Sequence, residues 1–520
     1  MSTWKRLLVL VLAAMMALPV FSGCKKDKEA GEQKKVSTEN VEKYFLYTEA
    51  EKLYCLDATT GKSTPIGLDF AVDAVENGLV CDNSTKMVAR VKKLGQEISG
   101  LIYWDGSSEK ASYLGDNTDL ARISKDGKYI WYEENTEGNG ELCYYDTASG
   151  EKTMTVENLR RVAVSDDGKT AFATAVTTDS EILYYCQVGQ QPTQIAQIVA
   201  NSVNVSQDRS AVGYMKYGEQ QADQEMAPVY LWTKAGGEKK LPFEADALVV
   251  FAADEIYYRQ RKDGIYSQYY FDGKKSSLLY ENGGGHYHKI GNSLYAYDEK
   301  WKGDPYVLHF VYKGQDLGTP IWMCPGQGMT GFFGENYASG WSRSNMREGL
   351  YRVNIEENGK LSFEFLMEGS SYSPRSDDVY NGYFLQKKNN SLYLNGNLIA
   401  SGDQFEKVAI SRTEDFVAYS DSENIFVYAD GETVSYPKAP GTSFVYPVRG
   451  RRIVSAVQGG SITLCYTEGG AQKQITIGNN VDCLTDVDTW SIPDLAGVTV
   501  LTEYTGSWYY SNMGTMVWNK

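Results

Sequence analysis

Apolar and polar residues follow one another along this chain in short runs, and the runs come back at a fixed interval. In Ile123-Ser124-Lys125-Asp126-Gly127-Lys128-Tyr129-Ile130-Trp131-Tyr132 a polar turn separates an apolar end from a second apolar run. Val164-Ser165-Asp166-Asp167-Gly168-Lys169-Thr170-Ala171-Phe172 repeats the phrase. Each copy predicts two short strands joined by a tight Asp-Gly hairpin, because Gly takes positive φ at no steric cost. Ser124, Ser165 and Ser206 are spaced by 41 residues. The third copy, Val205-Ser206-Gln207-Asp208-Arg209-Ser210-Ala211-Val212, lacks the Gly. A further copy, Ile410-Ser411-Arg412-Thr413-Glu414-Asp415-Phe416-Val417-Ala418-Tyr419, lies 205 residues beyond Ser206, five of the same intervals. A period near 40 residues built of short strands predicts an all-β chain folded as a β-propeller.

The second half of each unit is as regular as the first. Leu142-Cys143-Tyr144-Tyr145-Asp146, with Gly150-Glu151-Lys152 after it, reads as a strand, a turn and the start of a fourth strand. Leu53-Tyr54-Cys55-Leu56-Asp57, Leu101-Ile102-Tyr103-Trp104-Asp105-Gly106 and Tyr269-Tyr270-Phe271-Asp272-Gly273-Lys274 have the same form. Four short antiparallel strands make one blade. A lone blade exposes two apolar faces, so blades must stack. About twelve units fit into residues 42–520, more than the usual four to eight blades of one ring. Two tandem rings are therefore expected, residues 42–284 and 285–520, divided near Asn282-Gly283-Gly284-Gly285. One large ring is the alternative.

The Ser-x-Asp-Gly-Lys hairpin, followed by an aromatic Tyr-x-Asp…Gly-Lys strand pair, resembles the TolB-type, WD40-like propeller repeats of bacterial exported proteins. Residues 121–175 carry the resemblance, and 203–216 and 408–421 carry part of it. The Trp-Asp pair that closes WD40 repeats occurs at Trp104-Asp105. The resemblance implies a propeller and an exported setting. Its members differ in function, so it implies no activity.

The ends point the same way. Lys5 and Arg6 precede a wholly apolar run at 7–20, the form of a removable leader at 1–23. Phe21-Ser22-Gly23-Cys24 resembles the bacterial lipobox, which implies a lipid on Cys24. The polar stretch that follows cannot bury a core and is expected to be a tether over 24–41. The expected location is the outer face of a bacterial membrane. The net charge of −16 argues against nucleic acid as a partner.

Candidate chemistry is sparse. Apart from Cys24, seven Cys remain, an odd number that makes a poor disulfide framework. Cys55, Cys143, Cys186 and Cys465 sit in strand-like runs and are expected to be buried free thiols. His286, His288 and His309 are the three histidines, and no metal or other cofactor is assigned to them. No Gly-x-Ser-x-Gly elbow occurs. Ser107-Ser108-Glu109-Lys110 fits Ser-x-x-Lys but lies in a blade turn. No catalytic residue is assigned. The expectation is a lipid-anchored surface protein that holds a protein or glycan partner. The alternative is a hydrolase or lyase acting on polysaccharide, with its carboxylates hidden among the turns. The loops joining second to third strands are the free ones. Those at 217–227, 298–305 and 341–348 stand out, the last two bearing Trp301, Trp341, Arg343 and Arg347. Trp and Arg are enriched at binding hot spots, so these four are the candidate ligand-binding residues.

Overall fold

The computed structural model describes residues 39–281, 309–317 and 391–487 with their side chains, apart from 119–121, 136–139, 166, 178–179, 200–201, 207, 217–225, 395–396, 403–404, 410, 412 and 415. Within 282–308, 318–390 and 488–511 it describes strands alone. The described residues form strands and turns and no helix. They include four-stranded antiparallel meanders, the blades of a propeller, and two larger sheets, in one of which Val72–Val80 pairs in parallel with Ala471–Thr489.

Blade 2 comprises Val72–Val80, Met87–Lys93, Ser99–Trp104 and Ser112–Asp116. Blade 3 comprises Thr118–Ile123, Tyr129–Thr136, Asn139–Asp146 and Glu151–Glu157. Blade 4 comprises Leu159–Val164, Thr170–Val176, Glu181–Gln187 and Thr193–Ile198. Blade 5 runs from Asn204–Val205 to Gly237–Ala245, and blade 6 begins at Ala247–Ala252. Towards the C-terminus, a penultimate blade runs from Lys407–Ile410 to Glu432–Pro437. A last blade begins with Thr442–Val448 and Arg452–Val457.

The blades stack face to face through apolar layers. Trp131, Leu142 and Tyr144 of blade 3 pack with Val162, Val164 and Ala171 of blade 4. Phe172 and Leu183 of blade 4 pack with Val212 and Tyr214 of blade 5. This stacking explains the uneven burial within a blade. Second strands such as Ala211–Met215 and Phe416–Ser420 are buried at every position, since a blade covers each of their faces. Fourth strands alternate or lie open, as in Glu151–Glu157.

The stack joins the two ends of the chain. Tyr44–Glu49, Lys52–Asp57 and Lys62–Ile66 supply three strands of blade 1. Its innermost strand comes from Ala471–Thr489, a 19-residue strand. The start of that strand pairs with Gly460–Glu468 in the last blade. Its latter part pairs with blade 1, Phe45 opposite Asp486 and Thr48 opposite Cys483. Apolar side chains seal the seam, with Phe45, Tyr47 and Leu56 against Val454, Ile462 and Leu464. The two regions divided at 284/285 in the sequence thus share a strand and a core. The Gly-rich stretch expected at that division lies within the strand Ser276–Ile290, where Gly283 pairs with Tyr266 on one side and Glu299 on the other.

The repeated phrase folds into one turn, reproduced with the same bonds. Ser124 Oγ accepts from the amides of Lys128 (3.0 Å) and Tyr129 (3.1 Å) and donates to Asp126 Oδ1 (2.8 Å). Gly127 sits at φ +66°. Ser165 Oγ donates to Asp167 Oδ1 at 2.8 Å and accepts from the Thr170 amide at 3.0 Å. Ser206 Oγ donates to Asp208 Oδ1 at 2.7 Å and accepts from the Ala211 amide at 2.9 Å. The copy that lost its Gly keeps the turn, with Arg209 at φ +59° in the Gly position. One donated and two accepted bonds exhaust a hydroxyl's capacity, which is why a Ser tolerates burial at Ser124.

Candidate partner-binding face

In a meander that runs up and down, turns from first to second and from third to fourth strands lie on one side of the blade. Loops from second to third strands, and crossings to the next blade, lie on the other. The repeated Ser-Asp turns therefore gather on one face of the propeller, called here the turn face. The opposite side is the loop face.

The turn face is occupied by its own bonds. Beyond the hydroxyl contacts, Trp131 Nε1 of blade 3 donates to the carbonyl of Gly168 in the blade 4 turn at 2.7 Å. The carbonyl of Gly127 accepts from Thr147 Oγ1 at 2.7 Å. The carboxylates of these turns are structural. Partial burial pushes the Asp126 carboxyl up, but hydrogen bonds from Lys128 and Ser124 outweigh it and hold the pKa below the ordinary value. Asp208 follows the same rule, with Ser206 and Ser210 opposing its burial.

The loop face is different. Leu94 and Ile98 flank the second-to-third loop of blade 2 and are 49% and 50% exposed. Val176 lies at the equivalent loop of blade 4 and Ile265 at that of blade 6, both exposed. A shallow pocket of about 240 Å³ opens on the same side at the seam, lined by Phe444, Val457, Gln458, Asp482, Cys483 and Leu484 among others. Tyr113 donates to Asp116, and Lys93 bonds the same carboxylate at 2.9 Å while lying 4.0 Å from the Tyr113 ring. The Tyr113 hydroxyl and then Lys93 hold the Asp116 carboxyl below the usual range. This clamp fixes the base of the loop that bears Leu94 and Ile98.

Cys24, Trp301, Arg343 and Arg347 are outside the described residues. Trp341 is described as backbone alone, paired with Trp322. The loop at 217–227 is outside them except for its last two residues. Cys55, Cys143, Cys186 and Cys465 are free and buried, as is Cys81, whereas Cys483 is half-buried. His309 contacts Asp316 at 3.3 Å, and its strand and that of His288 flank Leu294–Glu299. Among the described residues no group of three His, Cys, Asp or Glu could hold a metal ion. Ser107, the Ser of the Ser-x-x-Lys match, donates its hydroxyl to Asp105 Oδ1 at 2.8 Å, an ordinary turn contact.

No family model matches the chain, and no curated protein matches it. Solved structures with a similar fold include propellers. The β-propeller domain of the Trilobed protease from Pyrococcus furiosus is 13% identical, with 56% of this chain and 97% of that one covered and a TM-score of 0.31. TolB from Acinetobacter baumannii is 12% identical, covering 52% and 76%, at 0.25. Oligogalacturonate lyase from Vibrio parahaemolyticus is 12% identical, covering 68% and 95%, at 0.32. The propeller assignment rests on the blades and their stacking described above.

Proposed function

We propose that this chain is a lipid-anchored surface protein whose propeller holds a protein or glycan partner on its loop face. The observation that supports this is the contrast between the two faces. On the turn face the repeated Ser hydroxyls, the Asp carboxylates beside them and the Gly127 and Gly168 carbonyls are bonded within the protein. The loop face carries Leu94, Ile98, Val176 and Ile265 in the open. Single exposed apolar residues are common on any surface, but these four occupy equivalent loops of blades 2, 4 and 6. Trp301, Trp341, Arg343 and Arg347 belong to second-to-third loops by sequence and extend the same surface in this proposal.

The test uses the full chain with Cys24→Ser as bait, against surface extracts and a glycan array. Leu94→Asp with Ile98→Asp is the perturbation, and Met154→Asp, on an exposed fourth strand, is the control. Loss of a captured partner with the loop pair and not with the control supports the proposal. Unchanged capture, with circular dichroism showing an intact fold, refutes this face.

A further inference from the structure

The segment that leads into blade 1 is built into the turn face. Asn40 and Val41, placed in the tether by sequence, are 3% and 2% exposed. Asn40 Nδ2 donates to the carbonyls of Cys81 (2.7 Å) and Ser84 (2.9 Å) in the first-to-second turn of blade 2. The Arg449 guanidinium, in the corresponding turn of the last blade, donates to the Glu39 carbonyl at 2.6 Å. The Lys43 carbonyl accepts from the Ala58 amide, in the turn after Lys52–Asp57, at 2.9 Å. Every one of these partners is on the turn face.

Glu42 makes the attachment specific. In three copies of the repeat the Ser donates to an Asp two residues on. In the Ser411 copy that position is Thr413, which has no carboxylate. Glu42 Oε2 supplies one from 369 residues away, accepting from Ser411 Oγ at 2.6 Å and from Thr413 Oγ1 at 3.0 Å. The repeat is incomplete without the leading segment, and Glu42 adopts φ +54° in the place that completes it.

We infer that the turn face is the membrane-proximal face of the anchored protein and the loop face points away from the bilayer. This rests on the lipid-anchor reading. The chain upstream of residue 39 starts from the turn face by covalent continuity. If the residues from Cys24 to there form the tether expected from the sequence, they would span on the order of 20 Å. A blade strand adds ~20 Å beyond that, so the two faces differ in distance from the lipid by about one strand length. The arrangement leaves Leu94 and Ile98 facing outward.

The experiment uses the lipidated full-length chain in vesicles of phosphatidylethanolamine and phosphatidylglycerol with an acceptor dye on the headgroups. Donor dyes are placed at Lys128→Cys or Lys169→Cys on the turn face and at Gln96→Cys or Glu97→Cys on the loop face, in a Cys324→Ser, Cys483→Ser background. Energy transfer at least about twofold greater from the turn-face positions is expected from the ~20 Å offset. Equal or reversed transfer overturns the orientation. Asn40→Ala with Glu42→Ala should narrow the difference by freeing the leading segment; a difference undiminished there would overturn the role given to that attachment. The anchor itself is read separately by sedimentation. Cys24→Ser protein that still sediments with vesicles refutes the lipid anchor, whatever the dyes report.

Discussion

Gly168 and Gly189 make a matched pair within blade 4. Both take positive φ, +66° and +75°. An alanine at either would suffer the left-handed penalty of about 1–2 kcal/mol. Their surroundings differ. A Cβ at Gly189 meets nothing within 4 Å, whereas at Gly168 it falls 2.5 Å from the Ser124 Cβ of blade 3. That neighbour cannot swing away, because the Ser124 hydroxyl is held by three bonds. Relief requires moving the blade 4 turn outward, which also stretches the Trp131 contact to the Gly168 carbonyl. Overpacking of this kind costs a further ~1–3 kcal/mol. The reporter is Cys186, fully buried in the third strand of the same blade. Burial pushes its thiol up to about 12, so it reacts with a disulfide reagent after local opening. Gly168→Ala should label Cys186 about 5–150-fold faster than Gly189→Ala, the equivalent of that extra free energy. Equal rates would mean that the turns of successive blades do not bear on each other, and the stacking argument would fall.

Three further outcomes follow from the same structure. A fragment 42–284 lacks the strand that pairs with Phe45–Thr48 and the apolar layer against Leu56, so it should bind a hydrophobic dye and unfold without cooperativity, and regain order when fragment 285–520 is added; a cooperative transition of 42–284 alone would instead support two separate rings. In the native chain Cys483 should be modified well before Cys55, Cys143 and Cys186, whose thiols burial pushes up to about 12; peptide mapping after brief alkylation reads the order, and early modification of Cys55 would count against the seam. Asp126 and Asp208 ionise below the ordinary 3.8. Their stabilisation is complete above that value and is lost as pH falls through their lower folded pKa values. The urea midpoint should therefore drop on acidification below about pH 4, and less so in Asp126→Asn with Asp208→Asn; an identical drop in that variant would remove these turns from the acid response.

Much of the blade structure was legible because the repeat is local. Ser124, Ser165, Ser206 and Ser411 each organise a turn within a few residues, and a fixed interval of 41 exposes the pattern. Even the loss of Gly at Arg209 left enough of it. What stayed hidden is non-local. The strand that completes blade 1 comes from the far end of the chain, and nothing in Val481-Asp482-Cys483-Leu484-Thr485 marks it as the partner of Tyr44–Glu49. The carboxylate missing beside Ser411 was visible as a gap at Thr413, but Glu42 could not be matched to it without the closed stack. Leu94 and Ile98 give no signal in the sequence, because an apolar residue in a loop reads the same whether it is covered or open. Trp301 and Trp341 stand out by residue type, a signal of chemistry that carries no information about burial.

The shared strand also sets an order of events during biosynthesis. Tyr44–Glu49 emerges early, yet the segment that pairs with its inner edge is made more than four hundred residues later. Until then the first sheet carries an open row of amides and carbonyls, the kind of edge that recruits foreign strands. At roughly 5–20 residues per second of synthesis, that exposure lasts on the order of half a minute or more. A chain made this way gains from a chaperone that covers one particular edge, and its yield should depend on how fast its last tenth follows its first.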